Sequence, residues 1–264
     1  MSGPATQKLV EAARDPSLNA AQLRQQGHKT IRVLGSDAPY ELLRALGLTP
    51  VRMVADLEMQ TPIADELIGT ETMGQRGRSL LQQILSDQTN TPLLITHADN
   101  EQPQIFSALR ELLRTGDIER RPIFFLDFLH LPKETSRAYN KFRLKQLVQA
   151  LESLSGQKLT DNSWQSAIAD HITNLRLLQT AKALRDDQTS MVSGAEFYAM
   201  TAALQILPPE HLVPLLKLAI EEYKTRPPLI AKRLITAGAP QYTASVYQEL
   251  SKAGYQIVGD IHDY

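Results

Sequence analysis

A short apolar run that ends in a cluster of polar side chains is the feature that most constrains the fold. Residues 92–100 read Pro-Leu-Leu-Ile-Thr-His-Ala-Asp-Asn. An apolar run that does not alternate with polar residues is typical of a strand buried on both faces. Helical stretches precede and follow it, which predicts a central strand of a parallel sheet. Open α/β sheets bind ligands at the carboxyl ends of their strands, so His97, Asp99 and Asn100 should border any site.

Three further apolar runs alternate with helical stretches in the first half of the chain. They cover residues 30–34, 50–54 and 122–126. Strands that alternate with helices in this way predict right-handed β-α-β units within one Rossmann-like parallel sheet. The predicted fold class is therefore α/β, with a Rossmann-like sheet, a helical segment and a partial second β-α-β unit.

The pattern along the chain predicts four segments. Residues 1–29 contain N-terminal helices, and residues 30–132 form the Rossmann-like α/β domain. Residues 133–227 form a helical segment, and residues 228–264 form the partial second Rossmann-like unit. Two strands and one helix are too few to bury a core of their own. This last unit is therefore expected to pack on the first domain or on a partner, unless the chain is truncated.

The composition argues against several classes of protein. The formal net charge of −1 does not suggest a nucleic-acid binder or a membrane-surface protein. No apolar run is long enough to span a bilayer, and the N-terminus lacks the apolar core of a signal peptide. A cytoplasmic protein is therefore expected. The sequence contains no cysteine, which excludes disulfides, thiolate catalysis and an iron–sulfur cluster held by cysteines.

Three segments, in the same order, resemble one protein family. Residues 39–52 resemble its Pro-x-Glu-Leu-Ile-x-Ala-x-Gly-x-x-Pro-Val segment, and residues 233–260 resemble its Arg-x-x-x-x-Gly and Gly-x-x-Val-Val-x-Asp strands. Between them lies a helical segment with Leu131-Pro132, Leu151-Glu152, Gly156, Thr160, Ala167-Ile168 and Asn174-Leu-Arg176. Over residues 30–264 the chain is thus similar to the D-component family of 2-hydroxyacyl-CoA dehydratases, which includes the benzoyl-CoA reductase subunits.

The resemblance implies a chemistry that depends on cysteine. In that family, cysteines hold a 4Fe–4S cluster that takes part in electron delivery and in radical chemistry on a CoA thioester. The first two cysteines should fall at Gly74 and Ala98, neither of which is cysteine here, and the third would lie beyond Tyr264. The resemblance therefore implies the fold without the cluster, and no cofactor is expected. It also implies a homologous dehydratase or reductase subunit, or a second copy of this chain, as partner and an acyl-CoA as ligand.

Histidines and carboxylates follow several of the predicted strands. His97 and Asp99 follow one strand, and His130 follows the next. Asp127 lies close to His130. His262 follows the last predicted strand, with Asp260 and Asp263 close to it. Such side chains could ligate a metal or perform acid–base catalysis. No metal-type spacing links them, so no metal site is predicted. The plainer interpretation is that polar side chains at strand ends satisfy nearby backbone donors.

Gly35 and Ser36 form the first of two candidate sites for an anion. They lie between a predicted strand and a predicted helix, and the N-terminus of such a helix could bind a phosphate of CoA. Asp37 is predicted to cap that helix and would repel an anion. The full glycine fingerprint of a dinucleotide site is absent, so a plain capped turn is the alternative.

The second candidate anion site is the corner of residues 74–78, which reads Gly-Gln-Arg-Gly-Arg. With two glycines, Gly74 among them, and with Arg76 and Arg78, this corner could bind a phosphate or a carboxylate. Arginine is mostly exposed in any protein, so a solvated helix start is the alternative interpretation.

These observations support two functions of different classes. The first is a dehydratase-like protein without the cluster, which serves as a non-catalytic subunit or as a homologue that binds an acyl-CoA. The second is an enzyme that performs metal-assisted or acid–base chemistry on a CoA-linked or carboxylic substrate. It requires His97, Asp99 and His130 to converge on one pocket.

Overall fold

The computed structural model describes residues 3–186, 190–238 and 243–262. It confirms the predicted α/β class and divides the chain into two compact units. The sheet unit contains residues 23–160, and the helical unit contains residues 1–22 together with residues 161–264. The boundaries of the four segments predicted from the sequence differ from those of the two units. The four segments stay a prediction about domain organisation.

Strands and helices alternate up to residue 126, and helices dominate the chain after it. The strands are β1 (Thr30–Leu34), β2 (Thr49–Arg52), β3 (Leu93–Thr96), β4 (Ile123–Leu126), β5 (Lys232–Gly238) and β6 (Tyr255–His262). The helices are α1 (Pro4–Arg14), α2 (Pro16–Gln25), α3 (Tyr40–Ala45), α4 (Pro62–Ile68), α5 (Gln75–Leu85), α6 (Glu101–Thr115), α7 (Glu134–Ser155), α8 (Asp161–Asp186), α9 (Gly194–Leu204), α10 (Pro209–Thr225) and α11 (Ser245–Lys252). No described helix is long and apolar enough to cross a membrane.

The sheet unit is built on four parallel strands in the order β2-β1-β3-β4. All four residues of β3 are buried, because this strand pairs with β1 on one side and with β4 on the other. Leu94 packs into the core on one face, and its neighbours Leu93 and Ile95 pack into the core on the opposite face. Helices cover both faces of the sheet, which explains why the strand sequences are continuously apolar.

The two faces of this sheet are covered by different helices. Residues of α3 and α7 form the core on one face: Leu42, Leu43, Leu147 and Leu151. Residues of α5 and α6 form the core on the other: Leu80, Leu81, Ile84, Ile105 and Leu109. Since α7 completes one of these cores, it belongs to the same compact unit as the strands. The helical segment predicted for residues 133–227 is thus shared between the two units.

Ion pairs and caps hold the helical unit together. The sequence Ser193-Gly-Ala-Glu196 forms a capping box at the start of α9, in which the Ser193 and Glu196 side chains each bind the backbone N–H of the other residue. Glu196 also binds Arg226 through both carboxylate oxygens, at 2.7 and 2.6 Å. Burial opposes the charge of Glu196, but the bonds from Arg226 and Ser193 outweigh it and lower its pKa. Glu222 accepts the backbone N–H of Ala5, which fixes the start of α1.

A buried ion pair lies beside the small parallel sheet of β5 and β6. Arg185 at the end of α8 is 2% exposed, and it donates to Asp260 of β6 at 2.5 Å. Asp260 also accepts from the hydroxyls of Thr236 and Tyr247, at 2.9 and 3.1 Å. The Arg185 guanidinium lies 4.1 Å from the centre of the Phe197 ring. Asp260, one of the carboxylates noted at strand ends, is therefore a structural partner of a buried cation.

The partial β-α-β unit predicted near the end of the chain forms as expected, with α11 between two parallel strands. It packs within the helical unit, where Tyr247, Ile257 and Val258 are buried. The outer face of the sheet carries Ile235 and Ile261, which are both exposed. The side chain of His262 and all of Asp263 lie outside the described residues, so the prediction concerning them is not tested.

Candidate functional site

The carboxyl ends of β1 and β3 lie side by side at the centre of the sheet unit. From β1 the chain crosses to β2 on one side, and from β3 it crosses to β4 on the other. Ligands of open α/β sheets bind where successive connections diverge in this way. We call the residues that directly follow β1, β3 and β4 the switch-point site. It contains Gly35, Asp37, His97 and Asp127, and it lies next to Thr96.

Gly35 brings the chain close to the end of β3. Its φ angle is +124°, a conformation that residues with a side chain rarely adopt, and an added Cβ would overlap the Oγ1 of Thr96. Thr96 donates that hydroxyl to the carboxylate of Asp37. The prediction that Asp37 caps the following helix is wrong, because α3 begins only at Tyr40 and its N-cap residue is Pro39. By accepting the Thr96 hydroxyl, the carboxylate of Asp37 instead links the residues that follow β1 to the end of β3.

The corner around Ser36 therefore differs from a phosphate-binding turn. Helix α3 has only six residues, and the carboxylate of Asp37 lies at the same corner as Gly35 and Ser36. A short helix has a weak dipole, and a carboxylate repels an anion. The assignment of Gly35 and Ser36 to a ligand stays a prediction, and this geometry favours a ligand group that is neutral.

His97 and Asp127 form a hydrogen-bonded pair at the ends of neighbouring strands. The Nδ1 of His97 lies 3.0 Å from Oδ1 of Asp127. A carboxylate can only accept a hydrogen bond, so Nδ1 carries the proton when the imidazole is neutral and Nε2 is left as the acceptor. The ring of Phe125 flanks the imidazole, with 6.4 Å between ring centres. The His97 side chain is 43% exposed, so solutes can reach it.

The other two residues of the predicted catalytic trio have different surroundings. Asp99 is bound to Arg76 at 2.5 Å. His130 is exposed, and no hydrogen bond or ion pair joins it to any described residue. The structure therefore links His97 by hydrogen bond to Asp127, not to Asp99 or His130. The sequence pattern placed Asp127 near a strand end but gave no reason to pair it with His97.

Arg76 links the start of α5 to the start of α6. Its guanidinium binds Asp99 at 2.5 Å and Glu101 at 3.1 Å. The carboxylate of Glu101 also lies beside Gly77 in the first turn of α5, 3.5 Å from a Cβ added there. Burial raises the pKa of Glu101, and the positive charge of Arg76 acts in the opposite direction. Glu101 was missed by the sequence analysis, since an acidic residue in the first turn of a helix is common.

The remaining predicted ligand-binding residues lie around this link. Gly74 is the N-cap residue of α5, and its φ of −64° is accessible to any residue. Arg78 binds Asp65 of α4 at 2.8 Å and the side chain of Gln75 at 2.8 Å. Asn100 is exposed and does not cap α6 with its side chain. Both arginines are thus already ion-paired, and ligand binding by these residues stays a prediction.

One known protein family matches most of this chain. The model of the family described as 2-hydroxyglutaryl-CoA dehydratase, D-component, matches residues 36–262. The chain belongs to this family. Among curated proteins, none matches the sequence. The resemblance drawn from residues 39–52 and 233–260 is therefore confirmed, together with the α/β fold that it implied.

The cluster implied by the resemblance to the dehydratase family does not fit the residues present. The sequence has no cysteine, and the described residues contain no group of three or more His, Asp or Glu that could hold a metal ion. An added Cβ at Gly74 would lie 3.4 Å from Oε1 of Glu101. A carboxylate therefore occupies the space beside the position where the resemblance places the first cysteine. Ala98, the second position, lies in the exposed turn between β3 and α6.

Proposed function

We propose that this protein is a cluster-free member of the dehydratase family that acts as a non-catalytic subunit. The observation that carries the proposal is the combination of a family fold over residues 36–262 with no cysteine anywhere in the sequence. The carboxylate of Glu101 lies beside Gly74, where the resemblance would place a cluster ligand, and this supports the proposal that no cluster is bound there. The family is described as a component, so the proposed partner is a homologous subunit or a second copy of this chain.

A ligand of the acyl-CoA type is part of the same proposal. The sheet ends in a switch point of the kind that binds ligands in open α/β folds. Retention of this scaffold without the residues for radical chemistry suggests binding without turnover. The protein would then bind a thioester and present it to the partner subunit, or it would contribute only a contact surface to the complex.

Loading with iron provides the test of this proposal. We expect the purified chain, incubated anaerobically with iron and sulfide, to retain no more iron and acid-labile sulfide than an unrelated cysteine-free protein treated in the same way. A cysteine-containing family member loaded in parallel is the positive control. Native mass spectrometry of the protein purified from its own host should show a complex with a homologous subunit or a dimer. Stoichiometric cluster assembly, or a bare monomer, would contradict the proposal.

Acid–base chemistry at the switch-point site is the second candidate function, and the 3.0 Å bond between His97 and Asp127 favours it. A carboxylate on Nδ1 orients an imidazole and directs its other nitrogen toward a substrate. Asp127 is added as the residue that orients His97, and catalytic roles for Asp99 and His130 stay predictions. A CoA-linked or carboxylic substrate remains the proposed class.

Nitrogen-15 NMR of histidine-labelled protein tests this pairing. We expect neutral His97 to carry its proton mainly on Nδ1, and Asp127→Ala to remove that preference. Hydrolysis of p-nitrophenyl acetate gives a chemical readout. A positioned general base contributes roughly 10²-fold or more to such reactions, so His97→Ala should slow the reaction far more than His130→Ala. His130 is the matched control because it is exposed and has no bonded partner among the described residues. Equal rates for the two variants would sink this function.

A further inference from the structure

We infer that Arg76 is the cation that joins the start of α5 to the start of α6 in the sheet unit, where the resemblance would place a metal centre. It links the two segments in which the resemblance places cysteine ligands, at Gly74 and at Ala98. The inference rests on the proposed function, because it assumes that these positions correspond to the ligands of the cluster. It adds a specific claim, namely that the link is an ion-pair network centred on one guanidinium.

The link joins one guanidinium of α5 to two carboxylates at the start of α6. Arg76, in the first turn of α5, donates to Asp99 just before α6, at 2.5 Å. Glu101, in the first turn of α6, lies 3.1 Å from the same guanidinium. The start of α6 therefore holds Arg76 through two carboxylates. The side chains of Arg76, Asp99 and Glu101 are between 23% and 29% exposed, so water screens their charges only in part.

Asp99 carries the effect of Arg76 into the first turn of α6. Its Oδ1 accepts the backbone N–H groups of Glu101 and Gln102, at 2.9 and 3.4 Å. Its Oδ2 accepts from Gln102 Nε2 at 3.0 Å as well as from Arg76. A carboxylate that accepts N–H groups at a helix start satisfies donors that have no partner within the helix. Loss of Arg76 should therefore loosen residues 98–103.

Charge balance shows why a cation is needed at this place. Asp99 and Glu101 both bind the same guanidinium. Burial is the main cause of the raised pKa of Glu101, and the negative charge of Asp99 adds to it. If the guanidinium is replaced by a neutral group, two carboxylates remain together without compensation. Carboxylate oxygens are ligands of hard divalent cations. An added divalent cation should then stabilise the variant, although it has little effect on the natural protein.

Hydrogen exchange of Arg76→Gln and of Arg78→Gln tests the inference. Arg78 is the matched control because it lies on the same helix and is also ion-paired, but to Asp65 of α4. In R76Q we expect protection of the backbone N–H groups of Asp99, Glu101 and Gln102 to fall by about tenfold or more, which corresponds to about 1.4 kcal/mol of local stability. In R78Q the loss should instead appear in α4.

A second measurement uses Mn²⁺ as a probe. Millimolar Mn²⁺ should raise the unfolding temperature of R76Q by several degrees, because an ion that binds only the folded state stabilises it. It should not change the unfolding temperature of the natural protein or of R78Q. Unchanged protection of the Asp99, Glu101 and Gln102 amides in R76Q, or an equal Mn²⁺ effect on all three proteins, would overturn the inference. Cluster assembly in the natural protein would overturn the proposed function instead, so the two failures can be told apart.

Discussion

Gly35→Ala is expected to destabilise the sheet unit by about 2–4 kcal/mol, through backbone strain and a steric clash together. The φ of +124° at this position is strained for any residue with a Cβ. The new Cβ would also overlap Thr96 Oγ1, so Thr96 must turn away and release its bond to Asp37. Because Gly35 lies at the switch point, the same change should disturb any ligand site there. Urea unfolding followed by circular dichroism measures the effect.

Gly116→Ala is the matched control for this prediction. Gly116 ends α6 with a φ of +87°, and no atom lies within 4 Å of a Cβ added there. It therefore carries the backbone penalty without the clash, and we expect it to cost about 1 kcal/mol. A second comparison is Gly35→Ala combined with Thr96→Ala, which removes the overlapping hydroxyl and should recover part of the loss. If G35A and G116A cost the same, the close approach of Gly35 to Thr96 is not what requires glycine.

Asp260→Ala is expected to cost the helical unit about 3–5 kcal/mol, since it removes the closest partner of a buried cation and leaves only the longer ion pair with Asp186, at 3.5 Å. Arg185 is 2% exposed and bound to Asp260 at 2.5 Å. The hydroxyls of Thr236 and Tyr247 lose the same acceptor. Trp164, the single tryptophan of the sequence, belongs to this unit. Its fluorescence during urea unfolding therefore provides the measurement.

Two variants separate the charge effect from simple loss of contacts. Arg185→Met combined with Asp260→Leu replaces the pair by apolar side chains, and such replacements of buried ion pairs are often neutral or stabilising. We expect the double variant to recover most of the loss. Thr236→Val removes only one neutral donor and should cost about 1 kcal/mol. A double variant as unstable as D260A would show that the contacts of these residues matter more than their charges.

Local sequence patterns were sufficient to predict most elements of the fold. The four apolar runs that predicted strands correspond to β1 to β4, and the second β-α-β unit corresponds to β5, α11 and β6. Strands buried on both faces have a continuously apolar sequence, so they are visible without any knowledge of their neighbours. The capping box at Ser193 is equally local in the sequence, because its two partners are only three residues apart.

The partners of the charged residues could not be predicted in the same way. Arg76 was identified as a candidate, but its link to Glu101 depends on the packing of α5 beside α6. Asp37 has the sequence position of a helix cap, yet it accepts a hydrogen bond from Thr96, a residue 59 positions away. Local propensity favours caps and turns, and a tertiary contact can override it.

By itself, the sequence determined the class of fold, and it excluded chemistry that depends on cysteine. Apolar periodicity predicts parallel α/β structure, and the absence of cysteine excludes a cysteine-held cluster because no other side chain supplies a thiolate. Tertiary structure alone decided which polar residues meet. The order β2-β1-β3-β4 places His97 beside Asp127, and the packing of α5 beside α6 places Arg76 between Asp99 and Glu101. The physical reason is that strand order and helix packing depend on the burial of the whole chain, whereas hydropathy patterns report only on each segment.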